Sequence, residues 1–215
     1  MIIKSLNIAQ PQTVRWRLKT LQTGIYKTPS KKPLLLGLED VVGDAVIDRK
    51  YHGGVDKACY AYSSEAYLYW DQMYPDFDFS FGFFGENLTI ENFSESNVRI
   101  GDQYKIGSCL VEVSQPREPC FKLGIKFGSQ KIVKAFVNSD FPGAYFRVLQ
   151  PGIVSLDDSM ELIHSYIDEP TVLDTFKMIY GFENQVPKLE LALNSTKLAK
   201  DAMKKIKKQY TKLIS

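Results

Sequence analysis

Cys120 stands in the run Ser114-Gln115-Pro116-Arg117-Glu118-Pro119-Cys120-Phe121-Lys122-Leu123. Two prolines fix the backbone just ahead of it. Arg117 and Lys122 are cations close by in sequence, and cations favour the thiolate, the form of cysteine that attacks electrophiles and binds metals. The same residue type is also commonly a small buried hydrophobe, so the run by itself allows both a reactive and an inert thiol. The other two cysteines, Cys59 and Cys109, fall inside alternating apolar runs and read as core.

Two further polar loops carry chemical possibility. Asp48-Arg49-Lys50-Tyr51-His52-Gly53-Gly54-Val55-Asp56-Lys57 sets the cations Arg49 and Lys57 around the pair Gly53 and Gly54, whose bare backbone can approach an anion closely. A glycine turn carrying solvated charges accounts for the same pattern. His52, with an ordinary pKa near neutrality, is either a proton donor or a neutral structural donor of the loop. Phe84-Gly85-Glu86-Asn87-Leu88-Thr89 places Asn87 at an expected strand start, where its amide either meets a ligand or caps its own turn. Other chemistries lack their residues. There is no Cys-x-x-Cys pair, no H-E-x-x-H, no G-x-S-x-G, no P-loop and no G-x-G-x-x-G.

The elements expected to position these loops are mainly strands. Up to about Ser165, glycines punctuate short apolar or alternating runs, the cadence of a sandwich or barrel. Val98 to Ser114 predicts a hairpin turning at Gly107-Ser108. Tyr145–Leu149 and Ser159–Ile163 predict a second pair around Pro151-Gly152 and Asp157-Asp158. Ser63 is expected to cap a helix burying Ala66, Trp70, Met73 and Tyr74, and Ser129 another burying Ile132, Val133, Phe136 and Val137. After Pro170 the period becomes helical. Thr171 and Asp174 sit at capping spacing, Gly181 ends the first helix, and Leu198, Ala202, Ile206, Tyr210 and Leu213 stripe a last one.

Composition bounds the rest. At 215 residues, 44% hydrophobic and 24% charged, the chain is long enough for one full domain and an appendage without disulfides. No apolar run spans a bilayer, and the first residues lack the apolar core of a signal peptide, so a cytoplasmic location is expected. The net charge of +2 conceals an asymmetry: seven lysines against Asp201 fall within residues 197–215. Whole-protein attraction to nucleic acid is therefore not indicated.

Taken together and in this order, the loops resemble the MOSC domain, named after the C-terminal domain of molybdenum cofactor sulfurase, and within it the YiiM-like bacterial branch. The H-G-G-x-D-K-A segment from His52 and the Q-P-R-x-P-C-F-K-L segment from Gln115 carry the resemblance. They are joined by Thr23–Pro29, Phe84–Thr89, Arg99-Ile100-Gly101-Asp102 and Gly143–Leu149. The resemblance implies a mainly β fold: a MOSC-type β-barrel with a few flanking helices over residues 1–168, followed by a small all-α subdomain of three helices over residues 169–215. It also implies a molybdenum cofactor of the molybdopterin type, with Cys120 as the metal ligand. The activity implied is reduction of N-hydroxylated compounds, such as hydroxylaminopurines and amidoximes, by oxygen-atom transfer. Arg49, His52, Gly53, Gly54, Lys57, Asn87, Asp102, Arg117 and Lys122 are the residues expected to bind the cofactor, with His52 and Cys120 catalytic. The implied partners are a small N-hydroxylated substrate and a separate electron-donor protein, with neither a membrane nor a nucleic-acid polymer. The alternative from the same resemblance is a carrier of the cofactor, or of sulfur as a Cys120 persulfide.

Overall fold

In the computed structural model, which describes residues 1–215, all the strands fall within the first 165 positions, where apolar residues alternate. In chain order the elements are β1 (Ile2–Ile8), β2 (Gln12–Trp16), β3 (Lys19–Thr23), β4 (Thr28–Pro29), β5 (Leu34–Leu36), α1 (Arg49–His52), β6 (Cys59–Ser63), α2 (Glu65–Met73), β7 (Leu88–Glu91), β8 (Gln103–Ile106), β9 (Cys109–Pro116), α3 (Phe121–Lys126), α4 (Lys131–Val137), β10 (Ala144–Gln150), β11 (Gly152–Val154), β12 (Met160–His164), α5 (Val172–Tyr180), α6 (Val186–Leu193) and α7 (Lys200–Ile214). Eight strands form one sheet in the order β12-β8-β9-β10-β6-β7-β1-β4. All its pairs are antiparallel except β6 with β7. That parallel pair needs a crossover, which α2 supplies.

The sheet is open, which corrects the expected barrel. Closure needs a ladder between β1 and β12. One edge of β1 carries β7, and the other pairs with β4 at Asn7 and Ile8. At Ile2 that edge makes an isolated bridge to Ser159, with backbone hydrogen bonds joining Met1 and Ile3 to residues 157–160, and no continuous ladder. The hairpin of β8 and β9 forms as expected, with Ile106 opposite Cys109 across the Gly107-Ser108 turn. The second expected pair does not form. β10 pairs with β9 and β6, and β12 with β8, because the intervening β11 leaves the large sheet to pair with β5.

The period of two divides the interior. All five residues of β6 are buried. Cys59 and Ala61 face the larger core with Ile3, Leu88 and Phe146, while Tyr60 and Tyr62 face an aromatic core with Trp70, Phe84 and Phe136. Burial pushes the thiols of Cys59 and Cys109 up, Cys109 to about 11, as suits inert core cysteines.

The helices differ from expectation in detail. Ser64, not Ser63, precedes α2, although the Ser63 hydroxyl still accepts from the Glu65 N–H at 3.1 Å. Met73 ends up exposed and Tyr67 takes a buried place. In α4 only Ile132 and Phe136 are fully buried. Thr171 caps α5 by accepting from the Asp174 N–H at 3.0 Å, and Gly181 ends it at φ 74°. Val172, Leu189, Ala202 and Ile206 bring α5, α6 and α7 into the larger core, while Leu213 at the end of the expected stripe is exposed.

Candidate active site

Cys120 is the residue immediately before α3, held extended at φ −118° and ψ 168°, with its carbonyl accepting from the Leu123 N–H at 3.0 Å. It is half-buried and lies in the wall of two adjoining cavities. The inner one is narrow and reaches down to Lys27, Asp44, Asn87 and Arg117. The outer one is a wide cleft bordered by Tyr51, Gln115, Phe121 and, from α7, Asp201, Lys204 and Lys205. Asp48, His52, Lys57, Cys120, Lys122 and Tyr145 belong to both and form the throat between them.

The two sequence-distant loops thus meet where the alternation of the sheet ends. His52 is the last residue of α1, its N–H bonded to the Asp48 carbonyl at 2.9 Å. Gly54 at φ 90° then turns the chain into a single 3-10 turn, Val55–Lys57. Such a φ is costly for any residue with a Cβ. The turn is anchored by Asp56, which accepts from Arg147 Nε at 2.6 Å. Lys57 returns to the throat, donating to the Tyr51 carbonyl at 3.0 Å and lying 3.7 Å from the Asp201 carboxylate.

Electrostatics in the throat and inner cavity favour an anion. The Arg117 guanidinium is buried, its carbon 4.9 Å from the Phe136 ring centroid and 5.4 Å from that of Tyr60, and its Nη1 has no hydrogen-bond partner. Lys122 is 4.0 Å from Asp48. Burial pushes His52 down to about 4, with Arg117 and Lys122 adding to the effect, so its imidazole is neutral near pH 7. Burial likewise pushes the Tyr145 phenol up to about 12. Both groups keep a proton that can be donated in a hydrogen bond.

Four expected binding residues lie elsewhere. Arg49 faces solvent, paired with Asp40 and with Glu39 at 3.1 Å, and borders neither cavity. Gly53 and Gly54 border neither cavity either, and the Gly54 N–H is spent on the Glu39 carbonyl. Asp102 is buried in a turn and borders neither cavity, accepting from the N–H groups of Arg99 and Tyr166, each at 3.0 Å, and from the Ser165 hydroxyl. Asn87 does border the inner cavity, with its amide held by neighbours. It donates to Asp44 at 2.9 Å and accepts from the Tyr60 N–H at 3.2 Å.

The residues not anticipated as part of the site are Lys27, Asp44, Tyr60 and Tyr145. Lys27 is buried against Asp44, and burial lowers its pKa while Asp44 opposes the shift. The sequence signal is the Thr23–Pro29 segment for Lys27 and the Gly143–Leu149 segment for Tyr145. Nothing marks Asp44. No three His, Cys, Asp or Glu side chains converge anywhere in the chain. A metal held at Cys120 would therefore need further ligands from outside the polypeptide.

The mixed sheet thus opens one cysteine onto a cavity lined by Lys27, Lys57, Arg117 and Lys122 as well as Asp44 and Asp48. Comparison with known proteins makes this specific: residues 48–161 match the family model of the MOSC domain, and the chain belongs to that family. It is similar to the uncharacterized protein YflK of Bacillus subtilis (strain 168), with 41% identity over 161 residues, covering 75% of this chain and 72% of that one. It is 31% identical over 204 residues to a protein named reductase from Gibberella moniliformis, covering 89% of this chain and 36% of that longer protein. The crystal structure of YiiM from Geobacillus stearothermophilus superimposes with a TM-score of 0.80 at 30% identity, over 97% of this chain and 98% of that one. No helix is long and apolar enough to cross a membrane.

Proposed function

We propose that the protein reduces N-hydroxylated compounds, such as hydroxylaminopurines and amidoximes, with a molybdenum cofactor of the molybdopterin type bound at Cys120. The observation that carries this reading is the unpartnered, buried Nη1 of Arg117 in the cavity that Cys120 also borders. A buried guanidinium with a free donor is costly unless an anion completes it. The donor set fits such a group: one soft sulfur at the throat, with Arg117, Lys122 and Lys57 around it to hold phosphate or other anionic oxygens. The family and the relative named reductase support the same reading.

When bound, the cofactor supplies a two-electron couple able to accept oxygen from an N–O bond. The net change is R–NH–OH with two electrons and two protons giving R–NH2 and water. The protein's own share is placement. Cys120 would hold the metal, and Arg117, Lys122 and Lys57 would hold the anionic remainder of the group. The outer cleft then admits substrate between Tyr51 and Phe121, both partly exposed for contact with a flat base. Gln115 also borders this cleft. The imidazole of His52 and the phenol of Tyr145, both bordering the throat, would offer hydrogen-bond donors to a group held there.

The test is the molybdenum and pterin content of protein made in a host that synthesises the cofactor, with Cys120→Ser alongside, followed by reduction of a hydroxylaminopurine using an artificial electron donor. Near-stoichiometric metal in the parent, little in the variant, and turnover only in the parent are expected. Metal with exchange but no turnover would favour a cofactor carrier. No metal in either protein, with a persulfide on Cys120, would favour a sulfur carrier.

A further inference from the structure

We infer that the lysine face of α7 is the docking surface for an acidic electron-carrier protein, one presenting a reduced flavin or iron–sulfur centre; this rests on the reductase reading above. α7 reaches the site directly, since Lys204 and Lys205 border the outer cleft that Cys120 borders from the other side. From Lys204 the helix carries Lys208 and Lys212 at i+4 and i+8, which places the three in one row about 12 Å long running away from the cleft mouth. Lys200 and Lys207 flank it, and all five are exposed. The only acid on the helix is Asp201. Lys200, Lys207, Lys208 and Lys212 form no salt bridge, and Lys204 only a loose, exposed one of 3.9 Å.

A row of unneutralised cations beside the mouth of a redox site supplies long-range attraction and orientation to a partner of opposite charge. The reaction needs two electrons per N–O bond cleaved, and the chain has no flavin, nicotinamide or cluster-binding motif of its own. The electrons must come from a donor that can bring its centre to this mouth. An anionic bilayer is a poorer occupant, because Ala202 and Ile206 are buried against the core and only Leu213 and Ile214, at the very end of the helix, are exposed to insert.

The experiment uses the full chain and the triple variant K207E/K208E/K212E, none of whose sites borders either cavity. Binding of a small acidic flavodoxin-type protein is measured by calorimetry at low and high salt. Turnover of a hydroxylaminopurine is measured with that carrier and, separately, with reduced viologen. The expected result is salt-sensitive binding, a loss of roughly tenfold or more in carrier affinity and in carrier-driven kcat/KM in the variant, and viologen-driven turnover that is not slowed. Carrier binding and turnover equal to the parent would overturn the inference, as would binding to phosphatidylglycerol vesicles or a DNA duplex in place of the carrier. Carrier binding that the variant loses, in a parent with no viologen-driven turnover, supports the docking face and counts against the reductase reading alone.

Discussion

Both carboxylate oxygens of Glu118 lie 2.6 Å from the ammonium of Lys205. The contact joins residues 87 positions apart and ties the proline-bounded loop that carries Cys120 to the first turns of α7. A second contact, Lys57 to Asp201 at 3.7 Å, ties the other site loop to the same helix. α7, seated in the core by Ala202 and Ile206, thus reaches both sides of the throat with ion pairs.

Glu118→Gln keeps the shape and removes the charge. Lys205 is half exposed, so the stability cost is expected to stay below about 1 kcal/mol, with little change in melting temperature. The loop should loosen nonetheless, giving a several-fold rise in KM for the N-hydroxylated substrate and a greater sensitivity of KM to salt. Steady-state kinetics at two ionic strengths checks this; an unchanged KM at both would show that the tether does not position the loop.

Arg117→Met retains an unbranched stem between Tyr60 and Phe136 and deletes the unpartnered guanidinium. Removal of a buried charge with an open donor is expected to leave the free protein as stable as before or more so. Cofactor retention should fall by about tenfold or more, since a charge-assisted contact to the anion is lost. Melting curves and pterin content read the two effects separately, and a variant that melts lower yet keeps its pterin would give Arg117 a structural role only.

The local parts of this design are legible in the sequence. The β8–β9 hairpin follows from alternation around Gly107-Ser108, and the Thr171 cap and Gly181 stop of α5 follow from spacing. Cys120 and the throat residues His52, Lys57 and Lys122 sit in loops whose residue types already announce them. What is not legible is which charges neutralise one another across the fold. Arg49 and Lys57 look equivalent around the glycine pair, but Glu39 and Asp40 turn Arg49 outward, and those acids carry no pattern of their own. Asp102 looks free until its turn closes on Tyr166, 64 positions on. Lys27 and Asp44 define the cavity floor only because the topology sets them side by side. The open sheet is likewise a non-local outcome, decided by β4 and β11 taking edges that alternation alone leaves unassigned.

His52 is held down at about 4 in the free protein, because burial, Arg117 and Lys122 all disfavour the imidazolium. Its pKa is then lower folded than unfolded, so the unfolded chain binds the extra proton between about pH 6.5 and 4. Stability therefore falls as pH drops through that window, by up to about 1.4 kcal/mol per unit, and His52→Gln should flatten the fall. An anion in the inner cavity offsets the cations and should raise the value. With only two histidines in the chain, proton NMR of the parent and of His164→Gln resolves the assignment. A value of 6.5 or above without ligand would place the imidazole outside this cluster.

Glu95 provides the opposite dependence and a check on the fold beneath the site. Its carboxyl is buried, accepts from the Gly143 N–H at 3.1 Å, and is pushed up to about 8 by burial. Gly143 in turn receives the Arg117 N–H on its carbonyl at 3.3 Å, so the carboxyl supports the backbone that carries the site arginine. Because the folded value lies above the unfolded one, the native state binds more protons between about pH 4.5 and 8. Stability is then complete at the acid end and declines as pH rises through the window. Glu95→Gln preserves an oxygen for the Gly143 N–H and cannot ionise, so its urea midpoint should stay level from pH 6 to 9 while that of the parent falls. Parallel curves for the two proteins over that range would mean that Glu95 is not held protonated in the native state.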